Sequence, residues 1–151
     1  MCNLNGLINN SFKEKLPLLS ELVINEDAII VAVTESHLTD EIKDAEIQIK
    51  NYTHIRTDRQ TRKCGGLITY IKEDLASSTK VLLSESNSFT EVQVLLIEKL
   101  NIVFISVYRP PGCQATEFCE PLNKVRHILD ALPTPQPTIL CTGDFNFPKI
   151  D

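Results

Sequence analysis

A layered α/β or α+β domain is the fold class that the sequence predicts, on three observations. Short apolar, β-branched runs outnumber helical patterns along the chain. The two helical stripes fall between those runs, as expected when helices cover sheets. No linker, repeat or low-complexity tract divides the chain, so residues 1–151, with 42% hydrophobic content, are expected to form a single domain with room for a core.

Each element has its own signal. "DAIIVAV" (Asp27 to Val33) is a continuous apolar run of the kind found in a strand buried on both faces. "GGLITYI" starts a strand after a glycine pair, and "EVQVLLIEKLNIVFISVY" reads as two strands joined in a hairpin at Glu98 to Asn101. "PTILCTGD" is a further short strand, expected to be enclosed. In "KLPLLSELVI" the apolar stripe is Leu16, Leu19 and Val23, and Pro17 suits a first helical turn, which makes Ser11 to Lys15 loop. In "ATEFCEPLNKVRHILDAL", Phe118, Leu122, Val125 and Leu129 recur at helical spacing, and Pro121 requires an early turn or a kink. "LPTPQPT" is a proline-punctuated loop into the last strand.

Composition narrows the function classes. No apolar stretch approaches the ~20 residues of a membrane span, and the start lacks the basic-then-apolar order of a signal peptide, so the expected location is intracellular, nuclear or cytoplasmic. The five cysteines show no C-x-x-C pair and no histidine at zinc spacing, so they read as buried thiols. A net charge of −5 argues against general adhesion to nucleic acid and requires a local basic patch for any polyanion. "RTDRQTRK" supplies one candidate, with Arg56, Arg59, Arg62 and Lys63 against Asp58. These side chains suit phosphate contacts or an ordinary solvated loop. Arg109 has a comparable choice between a phosphate and a loop carbonyl.

Several strands end in chemistry. Glu35 stands where the first buried run gives out, in "TESH". Tyr108 and Arg109 stand at the tip of the hairpin's second strand, in "YRPPG", and Asp144 and Asn146 follow the last strand, in "GDFN". If the extended geometry continued past Gly143, the pleat would put Asp144 and Asn146 on one face and Phe145 on the other. Asn3 and Asn5 occur one residue apart near the start. Taken singly, each residue has a plain structural explanation as a solvated acid, a turn former or a packed edge. Brought to one rim, they supply hard oxygen ligands for Mg²⁺ or Mn²⁺ and neutral donors for a phosphate, the inventory that phosphodiester cleavage needs. Glu35 could bind metal, Asp144 could orient or deprotonate water, and Asn3, Asn146 and Tyr108 could donate to phosphate oxygens.

The ordered motifs "NLNGL", "VTESHL", "RTDRQTRKCGGLITYI", "SVYRPPG" and "GDFNFP" resemble the endonuclease/exonuclease/phosphatase superfamily. Within it, the chain is most similar to the apurinic-endonuclease-like domain of non-LTR (LINE-type) retrotransposons. The resemblance implies a four-layer α/β sandwich and a Mg²⁺-dependent DNA endonuclease that nicks target DNA to prime reverse transcription, from a polyprotein that also carries a reverse transcriptase. It puts Asn3 on the phosphate, Glu35 on the metal, Tyr108 at the transition-state phosphate, and Asp144 and Asn146 beside the attacking water. Asn5 falls where some relatives have a metal-assisting aspartate.

The chain departs from the pattern at both ends. It stops at Asp151, before the family's Ser-Asp-His signature, and none of His37, His54 or His127 stands in that context. Surface or core placement is expected for all three. The sequence therefore reads as a partial, C-terminally truncated domain, weak or inactive as a nuclease and prone to marginal stability or self-association through exposed edges. The alternative is a noncatalytic retroelement relic that keeps the fold and at most binds nucleic acid or a partner.

Overall fold

The computed structural model describes residues 2–3, 12–59, 65–87 and 90–147. Among the described residues, eight strands and three α-helices run in the order β1 (Cys2–Asn3), α1 (Phe12–Asn25), β2 (Ile30–Thr34), β3 (Tyr52–Thr57), β4 (Leu67–Lys72), α2 (Glu73–Ala76), β5 (Thr79–Ser86), β6 (Glu91–Ile97), β7 (Ile102–Tyr108), α3 (Ala115–Asp130) and β8 (Thr138–Asp144). They make two four-stranded sheets, ordered β1-β2-β4-β3 and β5-β6-β7-β8. The β1/β2 and β7/β8 pairs are parallel and the rest antiparallel.

Side-chain alternation builds four layers from these sheets. On β6 and β7, Val92, Val94, Val103, Ile105 and Val107 face α3 and pack with Phe118 and Val125. The opposite face carries Leu95, Ile97 and Phe104, which meet Ala32 and Ile71 of the first sheet. That sheet's outer face, with Val33, Ile68 and Tyr70, packs under Leu19 and Val23 of α1. The order is thus helix, sheet, sheet, helix, the layered α/β sandwich expected from the sequence.

The layer between the sheets changes character along its length. Cross-strand pairs run from Ile97 with Ile102, through Leu95 with Phe104 and Gln93 with Ser106, to Glu91 with Tyr108. The first two are apolar and the last two polar. Gln93 bridges the sheets: its Oε1 accepts from Thr69 Oγ1 at 2.6 Å, and its Nε2 donates to Ile55 O at 3.0 Å and Thr57 Oγ1 at 2.8 Å. A buried amide with three partners on two strands of the facing sheet fixes how one sheet sits on the other, because a slip would leave several polar groups unpaired.

Some expectations change. α1 begins at Phe12, so residues 12–15 are helix and Pro17 lies inside it, at the cost of one backbone hydrogen bond. Burial of Leu19 and Val23 under one continuous face offsets that local loss. β8 is not enclosed: Ile139 and Leu140 are 46% and 45% exposed, because among the described residues the strand pairs only with β7 and lies at the sheet's edge. Among the described cysteines only Cys113 is buried; Cys2 is half-buried, Cys119 and Cys141 are exposed, and all four are free thiols. β3 and β5 went unread in the sequence, since "YTHIRT" and "TKVLLSES" mix polar and apolar residues without a clean period.

Candidate active site

The candidate site forms where the polar end of the inter-sheet layer opens. β2 delivers Glu35 from the first sheet, while β7 and β8 deliver Tyr108 and Asp144 from the second as adjacent partners in parallel register. The Tyr108 hydroxyl donates to Glu35 Oε1 at 2.8 Å, joining the sheets at their tips. Because Tyr108 meets Glu35 and is paired with Asp144, both acids lie at one end of the sandwich. Burial, the hydrogen bond to Glu35 and the charges of Glu35 and Glu91 push the Tyr108 phenol well above its ordinary value. It therefore keeps its proton and acts as a donor.

Glu35 adopts φ +55°, a left-handed conformation uncommon for a residue with a Cβ. The next two amides explain how it is held. Ser36 N donates to Gly66 O at 3.1 Å, and His37 N donates to Gly65 O at 2.8 Å. Gly66 has φ +90°, and a Cβ there would meet Ser36 Oγ at 2.5 Å, so the close approach of these two turns requires glycine. His37 lies on the rim, where burial lowers its pKa more than the nearby Glu35 carboxylate raises it. The imidazole is thus neutral at neutral pH.

A turn, rather than the pleat, brings Asp144 and Asn146 together. The strand ends at Asp144, whose Oδ1 accepts from Asn146 N at 3.2 Å, and Asn146 turns left-handed at φ +44°. Gly143 permits the tight pairing before it, since a Cβ would come within 2.4 Å of Val107 O. Phe145 points inward, edge-on to Phe118 with ring centroids 6.2 Å apart. The Asn146 side chain donates through Nδ2 to Arg109 O at 2.9 Å.

Arg109 is the staple of this loop. Its guanidinium donates to Phe145 O at 3.1 Å, to Asn146 O at 2.9 Å and to Cys113 O, and it lies 4.2 Å from the Phe147 ring centroid. Of its two sequence options, the structure takes the loop carbonyls. Arg56 is likewise occupied, donating to Asp58, Asp44, Ile42 O and Thr39 O. Arg59 is buried against Glu91, with Nε 3.2 Å from Oε1.

Asn3 ends β1 beside Thr34, which places its backbone next to the residue preceding Glu35. Asn5, Arg62 and Lys63 lie outside the described residues. His54 is a core-side residue 3.5 Å from Asp44 Oδ1 and tilted on Tyr70, and His127 is exposed on α3.

Glu91 was not legible as a site residue in the sequence, where it only opens an apolar run. It is fully buried, stands cross-strand from Tyr108, and accepts from Gly66 N at 2.9 Å. Burial outweighs the opposing pull of Arg59 and the Gly66 N–H, pushing this carboxyl up to about 7 from an ordinary 4.5. The folded chain then holds a proton that the unfolded chain has already lost. This group's contribution to stability is therefore greatest below about pH 4.5 and declines as pH rises through 7, by ~3 kcal/mol in all. Urea unfolding at about pH 5 and about pH 8 should show the decline in the parent and a flatter profile in Glu91→Gln.

Comparison with known proteins bears on the fold. No family model matches the sequence, and no curated protein matches it. Solved structures do. TDP2 from Caenorhabditis elegans superposes with a TM-score of 0.64 at 15% identity, over 96% of this chain and 46% of that one. The AP endonuclease LMAP from Leishmania major gives 0.63 at 15% identity, over 95% and 53%. TDP2 from D. rerio, complexed with a single-strand DNA product, gives 0.62 at 13% identity, over 98% and 60%. The chain thus spans about half the length of the solved structures it matches. Two facing sheets with a helix on each outer side are thus a layered α/β sandwich, the fold that the chain shares with these solved structures across nearly its whole length.

Proposed function

We propose that this chain carries a metal-dependent phosphodiesterase site that cuts DNA, of the kind used by LINE-type retroelements. The observation that carries the reading is the 2.8 Å contact between Glu35 and Tyr108, made across two sheets and beside the Asp144–Asn146 turn. Among the described residues no three His, Cys, Asp or Glu side chains cluster, so an all-protein cage is not what they form. One fixed carboxylate, with a second acid nearby, fits Mg²⁺ or Mn²⁺, whose shells are usually completed by water and substrate phosphate. Glu35 would hold the ion, with Asn5 a further candidate on the motif resemblance. A bound divalent cation would neutralise phosphate charge and make a bound water more acidic.

The protein groups divide the remaining work. Tyr108, held protonated, would turn its single O–H from Glu35 to a non-bridging phosphate oxygen on which negative charge builds. Asp144 accepts a proton from the attacking water, and Asn146, fixed to Arg109 O, helps to orient it. Asn3 is a further candidate phosphate donor on the motif resemblance. Arg56, Arg59 and Arg109 serve DNA by shaping the rim, since their guanidinium groups grip protein acceptors. In this reading the partners are DNA and a reverse transcriptase in the parent polyprotein, and the location is intracellular. D. rerio TDP2, a structural neighbour, is seen with a single-strand DNA product, which supports DNA as the substrate class.

Nicking of supercoiled plasmid tests the proposal. Relaxed circles should accumulate with Mg²⁺ and stop with EDTA. Absence of nicking by the folded chain would favour the noncatalytic relic, and nicking that persists in EDTA would contradict the metal site.

A further inference from the structure

Glu35 is held from two sides by two neighbouring residues of the opposite sheet. Tyr108 reaches its carboxylate directly. Glu91, the cross-strand partner of Tyr108, reaches the same turn through the glycine pair: Glu91 Oε2 accepts from Gly66 N at 2.9 Å, and the carbonyls of Gly66 and Gly65 accept from the amides of Ser36 and His37. Arg59 closes over the other oxygen of Glu91 at 3.2 Å. Space around the glycines is tight as well, since a Cβ on Gly65 would sit 2.6 Å from Glu91 Oε1.

A fully buried acid is a costly way to bind one backbone amide unless the orientation matters. What this acid orients is the left-handed turn at Glu35, which its own backbone preference does not favour. We propose that Glu91, clamped by Arg59, is a positioning residue for the metal site: it anchors the Gly65–Gly66 turn and thereby sets where the Glu35 carboxylate stands relative to Tyr108. The proposal rests on the nuclease reading for its purpose, while the mechanical linkage stands on the contacts alone.

Residue-resolved hydrogen exchange and Mn²⁺ binding, followed by electron paramagnetic resonance, test it on the full chain. In Glu91→Ala, the Ser36 and His37 amides should exchange about tenfold faster or more, while Leu95 and Phe104 in the sheet core keep their protection. Mn²⁺ affinity should fall by a similar factor. Glu91→Gln keeps an oxygen for Gly66 N–H at about half the strength, so about threefold changes are expected. It also decides the matter should the alanine variant not fold. Unchanged exchange at Ser36 and His37 in a folded variant, or faster exchange with unchanged Mn²⁺ affinity, would overturn the proposal. Failure of the parent chain to bind Mn²⁺ would instead overturn the nuclease reading, and the exchange data would still judge the linkage.

Discussion

Glu35→Gln is expected to lower the Mg²⁺-dependent nicking rate by ~10³-fold with little change in the urea midpoint, because the amide still accepts from the Tyr108 hydroxyl but no longer offers a charge to the ion. Asp144→Asn should fall by ~10²-fold or more, since it loses the basic oxygen while the Asx turn to Asn146 N survives. The informative measurement is the single-turnover rate, paired with unfolding of each variant under the same conditions. The metal dependence separates the two: raising Mg²⁺ should recover part of the loss in Glu35→Gln and none of it in Asp144→Asn. A rate above one tenth of the parent in either variant would remove that residue from the mechanism.

Arg109→Ala should be the most destabilising single change at the rim, by ~3 kcal/mol, because one buried guanidinium satisfies carbonyls of Phe145, Asn146 and Cys113 and lies over the Phe147 ring. The alanine leaves those carbonyls without their donor and opens space beside Phe118 and Phe147. Arg109→Lys should recover little, since one ammonium on a flexible stem cannot span three acceptors as a planar fork does. Urea unfolding gives the stability, and a loss under 1 kcal/mol would mean that the loop is held mainly by aromatic packing. Nicking should fall as well, because the staple fixes the Asp144–Asn146 turn.

Much of the fold was legible where one physical signal dominated. β6 and β7 alternate so that one face is Val92, Val94, Val103, Ile105 and Val107, and the left-handed Asn101 at φ +52° closes the hairpin where the sequence placed it. The α3 stripe was equally clear, with Phe118 and Val125 buried and Leu122 and Leu129 packed against them. β3 escaped because its residues answer to different neighbours: Tyr52 packs under α1, Thr57 meets Gln93, and Arg56 clamps a loop. The exposure of β8 escaped because an apolar run reports the tendency to be covered, not the partner that covers it.

The site divides the same way. The meeting of Glu35, Tyr108, Asp144 and Asn146 at one rim was readable because each stands at the end of an apolar run, and strand ends of a layered sheet share a rim. Glu91 was not, because it begins its strand and its partner lies in a turn 25 residues earlier. The arginines of "RTDRQTRK" looked like a solvated patch or a phosphate grip, yet sequence spacing holds no record that Asp44 and Asp58 would fold onto Arg56, or Glu91 onto Arg59.

Paramagnetic broadening by substoichiometric Mn²⁺ on backbone amide signals shows where a divalent ion sits without requiring turnover. The Glu35, Ser36, Tyr108 and Asp144 signals, from residues of two sheets brought to one tip, should be lost together, and all four should recover in Glu35→Gln. Broadening confined to Asp27, Glu73 and Asp74, which line a cleft at the opposite end of β2 and β4, would contradict a metal site at that tip.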